Sequence, residues 1–146
     1  MEGLERFNAR CYAMICSDKG RLLVLKERWR GVNLQKLPGG GMELGEGMLK
    51  CLDREISEEF VTSQPMTWAH FHCPTHCFSS QFRPEEQLLL NYFLAEEKVD
   101  EEQWAIIPDD PNILELIWLD IDASNVHWFT LESDRDAFMK LVALKA

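Results

Sequence analysis

The sequence lacks any apolar run approaching the roughly 20 residues needed to cross a membrane. Its opening residues hold no basic region followed by an apolar stretch, so no secretory leader is read there. The expectation is a soluble, cytoplasmic chain with no membrane partner. Positive charge is also short: 15 Lys+Arg against 25 Asp+Glu give a formal net charge of −10. Holding a nucleic-acid polymer by its phosphates takes a surplus of Lys and Arg, so that class of partner is excluded. The five cysteines (Cys11, Cys16, Cys51, Cys73, Cys77) are odd in number and lack scaffold spacing, which points to reduced thiols. Repeats, low-complexity stretches and linkers rich in Gly, Pro or Ser are missing as well, so residues 1–146 are expected to form a single domain. What is present suits a packed core, with 46% hydrophobic and 10% aromatic residues. The basic residues are unevenly placed: residues 1–36 carry eight (Arg6, Arg10, Lys19, Arg21, Lys26, Arg28, Arg30, Lys36) against four acids.

Residues 8–16 and 21–27 are short β-prone runs around a turn ending in Gly20, and they predict a hairpin. Residues 31–41 read as a loop. From Glu46 to Phe60 the period changes, with Leu49, Leu52, Ile56 and Phe60 forming an apolar stripe on a helix. Strands are predicted near 67–78, 87–95 and 113–119, and a C-terminal helix over about 133–143 with Ala137, Phe138, Leu141 and Val142 inward. The order predicts a mixed β-sheet covered by helices.

Chemistry is concentrated in residues 37–60. Glu55, Glu58 and Glu59 stand at i, i+3 and i+4, so their carboxylates crowd one helix face and repel one another. Arg54 is the sole nearby base, placed to pair with Glu58 or to brace a neighbouring carboxylate. Three converging carboxylates are best neutralised by a divalent cation, and an all-oxygen set favours Mg²⁺ or Mn²⁺ over zinc. The preceding glycines, lacking Cβ atoms, are able to approach a ligand closely and lend carbonyls to a metal or amides to a phosphate.

This segment resembles the Nudix box. Its pattern reads here as Gly40, five residues, Glu46, seven residues, Arg54-Glu55-Ile56-Ser57-Glu58-Glu59-Phe60, and then Val61-Thr62 where the family has Gly and an aliphatic residue. Six of the seven fixed residues agree, which chance delivers at about one start position in 10⁷. Leu37-Pro38-Gly39-Gly40-Gly41 with Glu43 resembles the usual lead-in, and Trp118-Leu119-Asp120 the usual close. The resemblance implies a Nudix-like α/β/α sandwich. It also implies metal-dependent hydrolysis of a nucleoside diphosphate linked to another group. By the same resemblance Glu58 and Glu59 are the main metal ligands, joined by the Gly39 carbonyl, and Glu55 is a ligand or the base for the attacking water. Arg54 would orient Glu55 or Glu59, and Glu46 would cap and brace the helix start. Family members recruit one more acid from outside the box, for which Glu115 comes first, followed by Asp109 or Asp110. A homodimer is compatible with the family. A catalytically silent Nudix-fold nucleotide sensor is the alternative reading, against which the intact carboxylates count. Val61 in place of the last Gly predicts a different path after the helix, because Val in a left-handed conformation costs about 1–2 kcal/mol.

Two constellations lie outside the box. His70, His72, Cys73, His76 and Cys77 offer zinc-type ligands, but their spacing matches no zinc framework; the alternative is a strand whose side chains line a substrate pocket. Lys26, Arg28 and Arg30 surround Trp29, reading either as a solvated strand edge or as a phosphate grip with Trp29 as a stacking platform. Phe82, in a loop between strands, has the same two readings. The expected partner is a small anionic, nucleotide-type substrate, with the basic first third as the second wall of its cleft.

Overall fold

The computed structural model describes residues 3–62 and 64–145. Two consecutive strands, β1 (Arg6–Met14) and β2 (Arg21–Trp29), belong to different sheets. They share the turn at Gly20 and one bridge, Cys16 to Leu22, before diverging. The expected hairpin is thus corrected: each strand pairs on both edges with strands other than its expected hairpin partner. In the first sheet β1 runs parallel to β8 (Glu86–Ala95), from Arg6↔Glu86 to Met14↔Leu94. The edge strand β4 (Gly39–Gly41) lies antiparallel on its other side. Strands β6 (Trp68–His72) and β7 (Phe78–Ser79) pair with the far edge of β8.

The second sheet has the order β10-β2-β3, with β3 Val32–Lys36 and β10 Ile113–Asp120. Residues 31–41, expected as a loop, therefore supply two strands. The reason is a two-residue turn at Arg30 (φ 49°) and Gly31 (φ 78°) between the Trp29↔Val32 pair; positive φ at both positions is the type I′ geometry that matches strand twist.

Helix α1 (Met48–Glu59) is two residues shorter at its start than expected. Its buried face is Cys51, Leu52 and Ile56, whereas Leu49 is 50% exposed. The helix ends in extended backbone at Phe60 (φ −130°, ψ 152°), which opens β5 (Phe60–Val61), paired to β9 (Ala105–Ile106). No left-handed residue is used, so Val61 fits where the family pattern has Gly. Helix α2 spans Glu132–Lys145.

Alternation along the strands divides the core between the helices. Cys11, Ala13, Ile15, Leu23, Leu25 and Phe93 pack with the inward face of α1, while Tyr12, Met14, Leu22, Val24, Leu90 and Tyr92 pack with Ala137, Phe138 and Leu141 of α2. Strands covered on both faces read as continuous apolar runs, as residues 11–16 and 22–25 do. The result is the expected α/β/α sandwich with mixed strand directions. Among the described residues, no helix is long and apolar enough to cross a membrane.

Buried Asp134, in the first turn of α2, accepts the Leu37 N–H (3.2 Å) and the Tyr92 hydroxyl (2.7 Å). It thereby anchors the chain just before the glycine run to the opposite helix.

Candidate active site

The glycine strand β4 and helix α1 meet through the box side chains. Arg54 is the hub. Its Nε and Nη2 form a bidentate pair with Glu46 (2.8 and 2.7 Å), Nη2 also reaches the Gly41 carbonyl (2.9 Å), and Nη1 donates to Glu55 (3.1 Å) and Glu58 (3.2 Å). The Glu46 carboxylate also accepts the Glu43 N–H (2.9 Å). Gly47, not Glu46, is the N-cap, and no side chain bonds the helix start; Glu46 is a brace for Arg54 rather than a cap. Arg54 in turn holds the Glu46 carboxyl down at about 2, as a charge-assisted fork does.

Glu59 is 5% exposed, and its Oε1 accepts the Gly39 N–H at 2.9 Å. Burial holds its carboxyl well above the ordinary range, Lys36 opposes the rise, and the neighbouring Glu27 carboxyl adds to it. Burial and then Glu58 raise Glu55, whereas Glu58 is open to solvent, its side chain 55% exposed. Buried Lys36 lies 3.5 Å from the Gly39 carbonyl oxygen, 3.7 Å from Glu27 Oε1 and 5.5 Å from the Tyr12 ring centre. Burial works to lower Lys36, but Glu27 and Glu59 outweigh it and hold it charged. Burial pushes the Cys51 thiol up to about 12, which leaves it a packing residue and no nucleophile.

The donor set suits a divalent cation. Glu55, Glu58 and Glu59 with the Gly39 carbonyl are all hard oxygens, the chemistry that Mg²⁺ and Mn²⁺ select. Gly40 provides the room: a Cβ there would stand 2.6 Å from Glu55 Oε1. Among the described residues, the one set of three His, Cys, Asp or Glu ligand atoms within 4.8 Å of one another is His76, Glu132 and Asp136, apart from the box. The box carboxylates stand further apart than this, held by Arg54 and Gly39.

The other nominated residues have these partners. Glu115 pairs with Lys26 (3.7 Å) on the β2–β10 ladder, and both are half exposed. Arg28 Nε donates to Asn33 (3.0 Å), and Arg30 lies 5.8 Å over Trp29 at the tip of the β2–β3 turn. Asp110 closes its own turn on the Asn112 N–H (2.9 Å), in the same loop as Asp109. Phe82 is half-buried in the loop after β7, its N–H on Ser80. The histidine and cysteine cluster divides: His70 meets Asn91 (3.3 Å), His72 leans on Tyr92, and His76 faces Asp136 (3.9 Å). Residues 73–78 instead line a cavity of about 290 Å³ with residues 87–90 of β8.

Sequence reasoning missed Glu27, Lys36 and Arg10 as neighbours of the box. One signal was available for Glu27, since it continues the inward alternation Leu23, Leu25 with an acid.

An acidic helix face braced by an arginine behind a close-approach glycine strand, in an α/β/α sandwich, defines a hydrolase of phosphoric anhydrides. Comparison with known proteins agrees. The NUDIX domain model matches residues 6–141, and the chain belongs to that family, as a Nudix pyrophosphohydrolase. Among solved structures, it is similar to the MutT protein of Methanosarcina mazei (19% identity, 99% of this chain and 98% of that one, TM-score 0.75) and to a NUDIX hydrolase of Nitrosomonas europaea (21%, 94% and 90%, TM-score 0.70). It is also similar to the dihydroneopterin triphosphate pyrophosphohydrolase of E. coli (17%, 97% and 100%, TM-score 0.64). At these identities the likeness is one of fold. No curated protein matches the sequence.

Proposed function

We propose that the chain cleaves the diphosphate linkage of a nucleoside diphosphate joined to another group, such as a nucleotide or nucleotide sugar, using Mg²⁺ with Mn²⁺ as a substitute. The observation that carries this is the placing of Glu55, Glu58 and Glu59 on one helix face beside the glycine strand, with Glu59 bonded to the Gly39 N–H, Glu55 against Gly40, and Glu55 and Glu58 held by Arg54. Glu58, Glu59 and the Gly39 carbonyl would hold the ion. When bound, it supplies positive charge opposite the phosphoryl oxygens, where charge builds during transfer.

Arg54 keeps Glu55 and Glu58 in place without neutralising Glu59, which leaves the buried carboxylate available to a cation. Glu55 either completes the ligand set or accepts the proton of the attacking water at a carboxylate oxygen; its burial suits the second role. Glu27 takes the place expected of an acid from outside the box, because it faces Glu59 whereas Glu115 faces Lys26.

The test is turnover of a panel of dinucleoside polyphosphates, nucleotide sugars, ADP-ribose, dinucleotide cofactors and oxidised nucleotides, with and without Mg²⁺. Glu58→Gln and Glu59→Gln should each lower kcat/KM about 10²-fold or more, since several kcal/mol of charge stabilisation is removed. Unchanged turnover in both variants refutes the roles. Tight nucleotide binding with no product after long incubation in Mg²⁺ and Mn²⁺ establishes the sensor instead.

A further inference from the structure

Two cations stand beside the box glutamates, and they differ in what their donors already hold. Lys36 is buried between Glu27 and the Gly39 carbonyl. Arg10, on β1 opposite Gly41, has a single bond of its own, from Nε to the Tyr12 hydroxyl (2.6 Å), with its guanidinium 5.7 Å over that ring. Among the described residues, no acceptor meets its two terminal nitrogens, and neither is a buried polar atom lacking a partner. They therefore keep unused donor capacity and are not fully sealed from solvent, while the stem of the side chain is fixed. Nη1 lies 3.3 Å from where a Cβ on Gly41 would stand, so this glycine gives the guanidinium its space. Glu55 and Glu86 are the carboxylates that act on its charge.

Arg10 also lies on a strand that borders both the box and a separate cavity. On one side is the box. On the other, Asn8 and Arg10 are the register partners of Leu88 and Leu90, which form part of the cavity wall opposite residues 73–78. Tyr12, on the same side of β1 as Arg10, stacks on Tyr92 at 5.2 Å, both rings buried, which fixes the floor beside Arg10.

We propose that Arg10 is the phosphate-anchoring residue of the substrate site: its terminal nitrogens bind the oxygens of the diphosphate, and the group attached to that diphosphate lies in the cavity under residues 73–78. This rests on the function proposed above. A guanidinium suits the task because its donors are planar, paired and always charged, and match two phosphate oxygens at once. The side chain is pre-positioned by Tyr12, so little ordering is needed on binding.

The experiment compares wild type with R10M, which keeps the stem over Tyr12, and with R10K, which keeps the charge. Turnover is read as separate kcat and KM, and binding of ADP and of pyrophosphate in Mg²⁺ by calorimetry. R10M should raise KM and weaken ADP and pyrophosphate binding by about 10- to 100-fold, with kcat changed less than about threefold and an unchanged Tm; R10K should recover part of the loss. An R10M protein that is folded and binds both diphosphates like wild type overturns the proposal. So does an effect confined to kcat, which would make Arg10 a counter-charge to Glu55 alone, and so does a wild type that binds neither diphosphate. If K26A/R28A/R30A raises KM while R10M leaves it unchanged, anchoring belongs to the β2–β3 hairpin and the proposal falls. The binding arm separates the two readings: a wild type that hydrolyses nothing in the panel refutes the proposed function, whereas loss of ADP binding in R10M still supports the anchor.

Discussion

Replacing Gly40 by Ala places one methyl group against the box and tests whether the glycine strand exists to let Glu55 approach. An added Cβ would stand 2.6 Å from Glu55 Oε1, 2.7 Å from its Cδ and 2.8 Å from Oε2. Ordinary contact begins near 3.4 Å, so the carboxylate has to retreat by about 0.8 Å. That retreat disrupts the 3.1 Å bond from Arg54 Nη1 to Glu55. The backbone does not have to move, because the obstacle is the far end of a side chain. Stability should therefore change by less than about 1 kcal/mol, in the range of ordinary mild substitutions. Activity should fall much more, since a displacement approaching 1 Å at a reacting group costs about 10²-fold. Gly39→Ala is the contrasting case: its Cβ would meet the Cys11 carbonyl oxygen at 2.2 Å, and the residue has φ +138°. Neither obstacle yields, so G39A should lose several kcal/mol of stability, as buried steric strain does. Thermal denaturation and metal-dependent turnover on the best substrate, measured on both variants, decide the matter. A G40A protein with wild-type kcat/KM, or one as destabilised as G39A, refutes the reasoning.

Asp134→Ala removes the acceptor of the Leu37 N–H, leaving that buried donor unpaired, and takes one of two partners from the Tyr92 hydroxyl, which keeps Ser133 at 2.9 Å. The expected cost is about 2–3 kcal/mol, or a fall in Tm of roughly 5–10 °C, and calorimetry showing a change under 2 °C would contradict it. The Glu46 carboxyl sits near 4.5 in the unfolded chain and near 2 beside Arg54. Its pairing therefore stabilises the fold fully above about pH 4.5 and is lost as pH falls toward 2. Glu46→Gln should flatten that part of the acid stability profile, and an unaltered profile by acid titration of the far-UV signal would place the loss elsewhere.

How much was legible beforehand varies with the kind of information each feature needs. The box helix and its three carboxylates were legible because i, i+3 and i+4 spacing fixes a shared face whatever surrounds it. The break at Val61 was legible as a change of path, since Val is disfavoured in the left-handed backbone the usual Gly supplies; that this path is strand β5 depended on a partner 46 residues further on, at Phe60↔Ile106. Leu49 misled because a stripe drawn on a helix wheel does not say how wide the covering surface is, and Cys51 is buried in its place. The β1–β2 hairpin misled because adjacency predicts pairing only when nothing better competes, and β8 pairs with β1 along its whole length while β4 takes part of the other edge.

The sequence alone thus determined the chemistry of the site: which carboxylates share a helix face, which arginine lies among them, and where the chain has no Cβ. It did not determine the electrostatic surroundings of that face. Lys26, Arg28 and Arg30 were near one another in sequence, but alternation turns Glu27 inward from among them, while Lys26 pairs with Glu115 and Arg28 with Asn33. Arg10 and Lys36 arrive from β1 and β3 because two sheets pack their edges beside one glycine strand. Local spacing decides what a single element presents; only the long-range pairing of strands decides which charges end up facing it.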